Sequence, residues 1–167
     1  MNKIIYRSLK ELREETKNRH REFDALFQKL RKKKTKNLDD IVHRLHNEAF
    51  DEFDCLDCAN CCKGISPIVI DKDMERLAKA ERMKSADFIE KYLYRDEDYD
   101  YVFKQTPCPF LSADNYCFVY DNRPRACREY PHTDRARIFQ ILKLTQKNCE
   151  ICPVVFEICK ELCKLDW

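Results

Sequence analysis

The sequence predicts a mainly α-helical, metal-stabilised domain with little β-structure. Three observations carry that expectation: four thiols within Cys55–Cys62, one glycine in 167 residues, and apolar positions recurring at helical spacing through the first third of the chain. Scarce glycine argues against phosphate-cradling loops, dinucleotide fingerprints and tight β-hairpins. At 44% hydrophobic residues the chain can build one modest core, and a second domain is not required.

In chain order, the first element is a stripe of Ile5, Leu9, Leu12, Thr16, Arg19, Phe23, Leu26 and Leu30, with no proline before Pro67. It predicts a long amphipathic helix from about residue 3 to 33. A second periodic run, Leu38, Ile41, Val42, Leu45, Ala49 and Phe53, follows Asn37. Asn37 is placed to cap it, with Asp39 and Asp40 suited to its dipole. These helices form an expected hairpin over residues 1–53, packed on or flanking a cysteine domain over 54–167, in one compact unit. Polar Thr16 and Arg19 in the stripe speak against a self-associating coiled coil. The hairpin is the expected arm for binding another protein.

Net charge is +2, but residues 1–50 hold 14 Lys and Arg against 8 Asp and Glu. Six of the eight residues Lys29–Lys36 are basic, a run able to meet phosphates. A solvated helix end is the stronger reading, since Lys and Arg suit a C-terminal dipole and no aromatic residues are interleaved to stack on bases.

Ile65–Ile70 is short, apolar and β-branched, as in a strand or extended segment. Asp71 or Asp73 is placed to cap a helix carrying Met74, Leu77, Ala78 and Met83. Ser85 is placed to cap another carrying Phe88, Ile89, Tyr92 and Leu93. The acidic, tyrosine-rich Arg95–Tyr101 reads as a connecting loop, because its carboxylates lack the order and the glycine of an EF-hand. Val155, Ile158, Leu162 and Leu165 mark a C-terminal helix.

The chain has 11 cysteines, so intrachain pairing would leave one over. Charge interrupts the N-terminus before an apolar stretch can form, and the longest uncharged run is the nine residues Gln105–Ala113, so neither a signal peptide nor a membrane span is expected. In the cytoplasmic setting this suggests, clustered cysteines are more often ligands than disulfides. Two-residue gaps separate Cys55, Cys58 and Cys61, a spacing that lets one turn present two sulfurs to a tetrahedral ion. Adjacent Cys61 and Cys62 diverge, which suits two centres or one multinuclear cluster.

Three further thiols, Cys108, Cys117 and Cys127, sit in proline-punctuated sequence: Pro107-Cys108-Pro109-Phe110-Leu111, Tyr116-Cys117-Phe118-Val119-Tyr120, and Arg123-Pro124-Arg125-Ala126-Cys127-Arg128-Glu129-Tyr130-Pro131. Proline lowers the entropic cost of fixing a ligand. Arg123, Arg125 and Arg128 surround Cys127 in sequence. Their charge would offset that of a thiolate site, net near −2 for four sulfurs on a divalent ion.

The order C-x2-C-x2-C-C, C-P-F-L, C-x-[apolar]-Y, R-P-x-x-C-R-x-[aromatic]-P and a late C-P resembles the YkgJ-type CxxCxxCC cysteine-cluster proteins, described as a zinc- or iron-chelating domain. The resemblance covers residues 55–153. It implies Cys55, Cys58, Cys61, Cys62, Cys108, Cys117, Cys127 and Cys152 as ligands, for two ions or one cluster with spare thiols. A flagellin lysine methylase with a similar cysteine cluster is the nearest enzymatic precedent, but no substrate or methyl-donor site is visible in this chain.

Cys149 repeats the two-residue spacing to Cys152 and replaces or joins it as a candidate ligand. Cys159 reads as a small core residue on the C-terminal helix, with Cys163 on the same side four residues on. His43 and His46 share a helix face but have no completing carboxylate motif, and His132 is a minor candidate near Cys127. No hydrolase, kinase or Walker motif appears, which leans away from an enzyme. The expected role is a structural or interaction module on zinc. Alternatives are an iron or iron–sulfur redox or modifying enzyme and a metal storage or delivery protein.

Overall fold

The computed structural model describes residues 6–33, 35 and 37–167. The start of the expected first helix, including Ile5, and Lys34 and Lys36 of the basic run lie outside them. The chain is mainly helical: α1 (Leu9–Asn18), α2 (His20–Lys32), α3 (Leu38–Phe50), the short turns α4 (Cys55–Cys58) and α5 (Asn60–Gly64), α6 (Asp71–Ala80), α7 (Ser85–Tyr92), β1 (Leu93–Arg95), β2 (Tyr101–Phe103), α8 (Arg125–Glu129), α9 (Leu142–Asn148) and α10 (Pro153–Cys163). Short 3-10 turns cover Tyr120–Asn122 and Ile138–Ile141. Contacts divide the chain into two compact units, Met1–Cys58 with Pro131–Trp167, and Ala59–Tyr130.

In the first unit α10 is the hub, packing against α1, α2, α3 and α9. Val154, Val155, Phe156, Ile158 and Cys159 have no exposed surface, so this helix is apolar nearly all round. Leu12, Phe23, Leu26, Phe27, Leu30, Val42 and Leu45 bring the N-terminal stripes into the same core. Phe23 meets Phe156 edge-on at 5.6 Å. Fully burying such a ring contributes roughly 1.5–3 kcal/mol. Glu157, buried on α10, pairs with Arg7 at 3.1 Å and Lys160 at 2.7 Å.

The expected long first helix is two helices. Arg19 leaves helical geometry (φ −99°, ψ 11°) and ends α1 as it begins α2. The polar interruption read at Thr16 and Arg19 sits at this break. Thr16 is buried and donates to the Cys149 carbonyl at 3.1 Å, satisfying a hydroxyl that would otherwise be costly to bury. Ser8 and Glu11 form a capping box at the start of α1. Asn37 precedes α3 without a side-chain cap bond. Asp39 instead accepts from the backbone N–H of Arg137 (2.6 Å) and Ile138 (2.9 Å), holding the turn where Arg137 takes a positive φ of 59°. Sequence periodicity could not show that long-range role.

The second unit packs Val69, Met74, Leu77, Ala78, Phe88, Leu93, Phe103, Phe110 and Val119 into one core, with Cys108 and Cys117 against it. Ile65–Ile70 is extended: Ile68 bridges Val102, and the Val69 N–H donates to the Tyr101 carbonyl at 2.8 Å. Arg95–Tyr101, expected as a plain connection, is the turn of a β-hairpin whose pairs are Leu93 with Phe103, Tyr94 with Val102 and Arg95 with Tyr101. Glycine scarcity does not prevent it. Tyr99 adopts the positive φ (63°), and the Asp96 carboxylate accepts from the N–H groups of Asp98 and Asp100 at 3.0 Å each. Asp73 sits three residues into α6 and accepts from the Ile70 N–H at 3.4 Å.

Candidate metal centre

The chain from Pro107 to Pro124 is mostly turns with little ladder of its own, and a few bonds fix its thiols. The Cys108 N–H donates to the Cys62 carbonyl at 2.8 Å, tying the first cysteine motif to the second. Leu111 bridges Cys117, and the Phe118 N–H donates to the Phe110 carbonyl at 2.9 Å, so Cys108 and Cys117 lie at the two ends of a small loop. Cys127 is in the first turn of α8, where its N–H donates to the Pro124 carbonyl at 3.0 Å.

Cys62, Cys108, Cys117 and Cys127 share one electrostatic neighbourhood. Burial pushes the Cys108 thiol up to about 11 and Cys127 up to about 12, with Cys62 and Cys117 adding repulsion to both and Cys108 adding more to Cys127. Cys117 is raised first by burial and then by Cys62. Cys62 moves the other way, to about 7, chiefly through its contact with the Cys61 sulfur, 4.0 Å distant. The Arg123 guanidinium favours the ionised form of Cys62, Cys117 and Cys127. Backbone N–H groups two residues on, from Phe110 and Val119, favour the thiolates of Cys108 and Cys117.

A second sulfur group belongs to the other unit. Cys152 is the N-cap of α10, with Pro153 at the first helical position, and its sulfur meets the N–H groups of Val155 and Val154. Burial pushes this thiol up to about 12, and the nearby Cys55 and Cys58 add repulsion. Their turn is fastened by Tyr6, which stacks on Phe53 at 4.6 Å and donates to Asp57 Oδ2 at 3.0 Å. Tyr6 is the residue that periodicity missed, since its partners are some fifty positions along the chain.

Cys149 turns elsewhere. Its sulfur is fully buried 3.0 Å from that of Cys159 and points at the Thr145 carbonyl, with Cys163 near enough to oppose ionisation further. Cys159 lies in the core of α10, as expected. His46 Nδ1 shares a 2.7 Å hydrogen bond with the Thr133 hydroxyl, and His43 Nε2 lies 2.9 Å from the Arg135 carbonyl, so both histidines fasten the 133–135 loop. His132 sits in the left-handed region at φ 66°.

Among the described residues, no three or more Cys, His, Asp and Glu side chains are drawn together tightly enough to hold an ion as they stand. The donors nevertheless fit soft metal in kind. Four thiols in one neighbourhood, two of them facing N–H donors and three facing an arginine, have groups placed to support thiolates once a cation offsets the cost of burial. No described helix is long and apolar enough to cross a membrane. A model of the CxxCxxCC family, described as "Putative zinc- or iron-chelating domain", matches residues 54–153. No curated protein and no solved structure matches the chain.

Proposed function

Because the chain belongs to the CxxCxxCC family of zinc- or iron-chelating domains, we propose that Cys62, Cys108, Cys117 and Cys127 hold a zinc ion as a four-thiolate structural site. The observation that carries this reading is the shared field of those thiols, opposed by Arg123 and by the Phe110 and Val119 N–H groups. Burial keeps three of them protonated in the absence of a cation. A divalent ion supplies the missing positive charge, releases the protons and draws the sulfurs in. Closed four-sulfur sites are structural, and the ion would hold in place a segment with few backbone bonds of its own.

On this reading the protein is an interaction module. Tyr116 and Phe118 flank Cys117 and are 52% and 69% exposed, offering apolar surface on the loop the ion would stiffen. Cys55, Cys58 and Cys152 form a second, three-sulfur ligand set. That set favours a second reading, an iron or iron–sulfur centre, because thiolates at two-residue spacing serve clusters equally well. Elemental analysis and an absorption spectrum on full-length protein purified without air separate the two. A colourless sample carrying zinc supports the structural site; brown protein carrying iron and acid-labile sulfide replaces it with the second reading.

A further inference from the structure

The segment joining Cys117 to Cys127 has no strand or long helix to hold it, yet its backbone is gripped from outside by two residues of α6. Asp73, 1% exposed, accepts from Arg76 Nη2 at 2.6 Å through one oxygen and from the Arg125 N–H at 3.1 Å through the other. Arg76 donates onward to the carbonyls of Arg123 (2.9 Å) and Asn122 (3.2 Å). One ion pair, with its carboxylate buried and its guanidinium half-buried, thus engages three backbone groups across Asn122–Arg125, immediately before Cys127. The same grip fixes Arg123, whose guanidinium donates to the Tyr120 carbonyl at 2.9 Å and stacks 3.7 Å above that ring.

We infer that Asp73 and Arg76 are positioning residues for the thiolate site: they set the place of the Cys127 sulfur and of the Arg123 charge without touching a metal. The inference rests on the four-sulfur reading above. Its physical basis is the entropy of ligand placement. A sulfur on an unconstrained loop must be ordered when metal binds, whereas one held by a packed helix is ordered beforehand. Met74 and Leu77, buried on the same helix, anchor that grip in the unit's core. Partners of this kind typically change metal affinity by about 10–100-fold when removed.

The test compares full-length wild type with Asp73→Asn, Arg76→Gln and, as a stability control in the same core but off α6, Leu93→Ala. The first readout is the rate at which native protein gives up metal to a chromophoric chelator; the second is the alkylation rate of Cys127 in metal-stripped protein, by mass spectrometry. Asp73→Asn and Arg76→Gln are expected to speed metal release at least about tenfold and to make Cys127 alkylate faster, while Leu93→Ala lowers Tm with little change in either rate. Unchanged release from metal-loaded Asp73→Asn overturns the inference and leaves the four-sulfur reading intact, and so does equal acceleration by Leu93→Ala. Metal-free wild type overturns the four-sulfur reading, and the alkylation rates then decide whether Asp73 positions Cys127.

Discussion

The two units solve the problem of order differently. Around α10, the helices α1, α2 and α3, each of ten or more residues, bury large apolar side chains, and the thiols of Cys149 and Cys159 behave as core atoms. In Ala59–Tyr130, only α6 reaches ten residues, and the stretch from Pro107 to Arg125 carries its thiols at the edge of the core rather than inside it. Buried cysteine thus has two settings in one chain: among aliphatic groups it packs as a small hydrophobe, and beside N–H groups and arginine it has the setting we propose for a ligand.

The sharpest way to break this comparison is to remove the metal. Chelation should cost the Ala59–Tyr130 unit on the order of 10 kcal/mol of apparent stability, the scale of structural zinc binding. Protection from hydrogen exchange at the Cys108 and Phe118 amides should collapse, while protection in α10 persists. Conversely, Phe156→Ala should destabilise the helical unit by about 4 kcal/mol, as expected for emptying a buried aromatic site. Its metal content, read by elemental analysis, should not change.

Acidity distinguishes the thiols in the metal-free protein. Cys62, held at about 7 against an ordinary 9, adds stability as pH rises from 7 to 9, because the unfolded chain then binds the extra proton. Cys108 and Cys127, raised to about 11 and 12, do the opposite: their contribution is complete below pH 9 and is lost above it, by about 1.4 kcal/mol per pH unit for each thiol. Denaturant melts across this range should place the thiol contribution at its maximum near pH 9. Bound metal should steepen the loss on the acid side, because protons then compete with the ion, and should remove the loss above pH 9, because ligated thiolates have no proton left to give up. The smallest effect is expected at Ser8→Ala, which removes half of a capping box and should cost about 1 kcal/mol of helical-unit stability by thermal melting.

Much of this was legible in the sequence where the signal is local. Helical periodicity located α3, α6, α7 and α10, and cysteine spacing with proline context drew attention to the thiols. What was not legible depends on distant partners or on backbone conformation. The β1–β2 hairpin turns through Tyr99 at positive φ, and nothing in a tyrosine advertises that. Asp39 reads as a dipole-favouring residue of its own helix, yet its carboxylate serves Arg137 and Ile138. Spacing treats Cys149 and Cys152 alike, but the start of α10 separates them, with Cys152 facing the helix N–H groups and Cys149 facing Cys159.

X-ray absorption at the metal edge of full-length protein, purified without air, tests the four-thiolate site most directly. Four sulfurs at about 2.3 Å around zinc, falling below four in Cys127→Ser and unchanged in Cys163→Ser, is the predicted result. A shell dominated by oxygen or nitrogen, or a four-sulfur shell that survives Cys127→Ser, would contradict it.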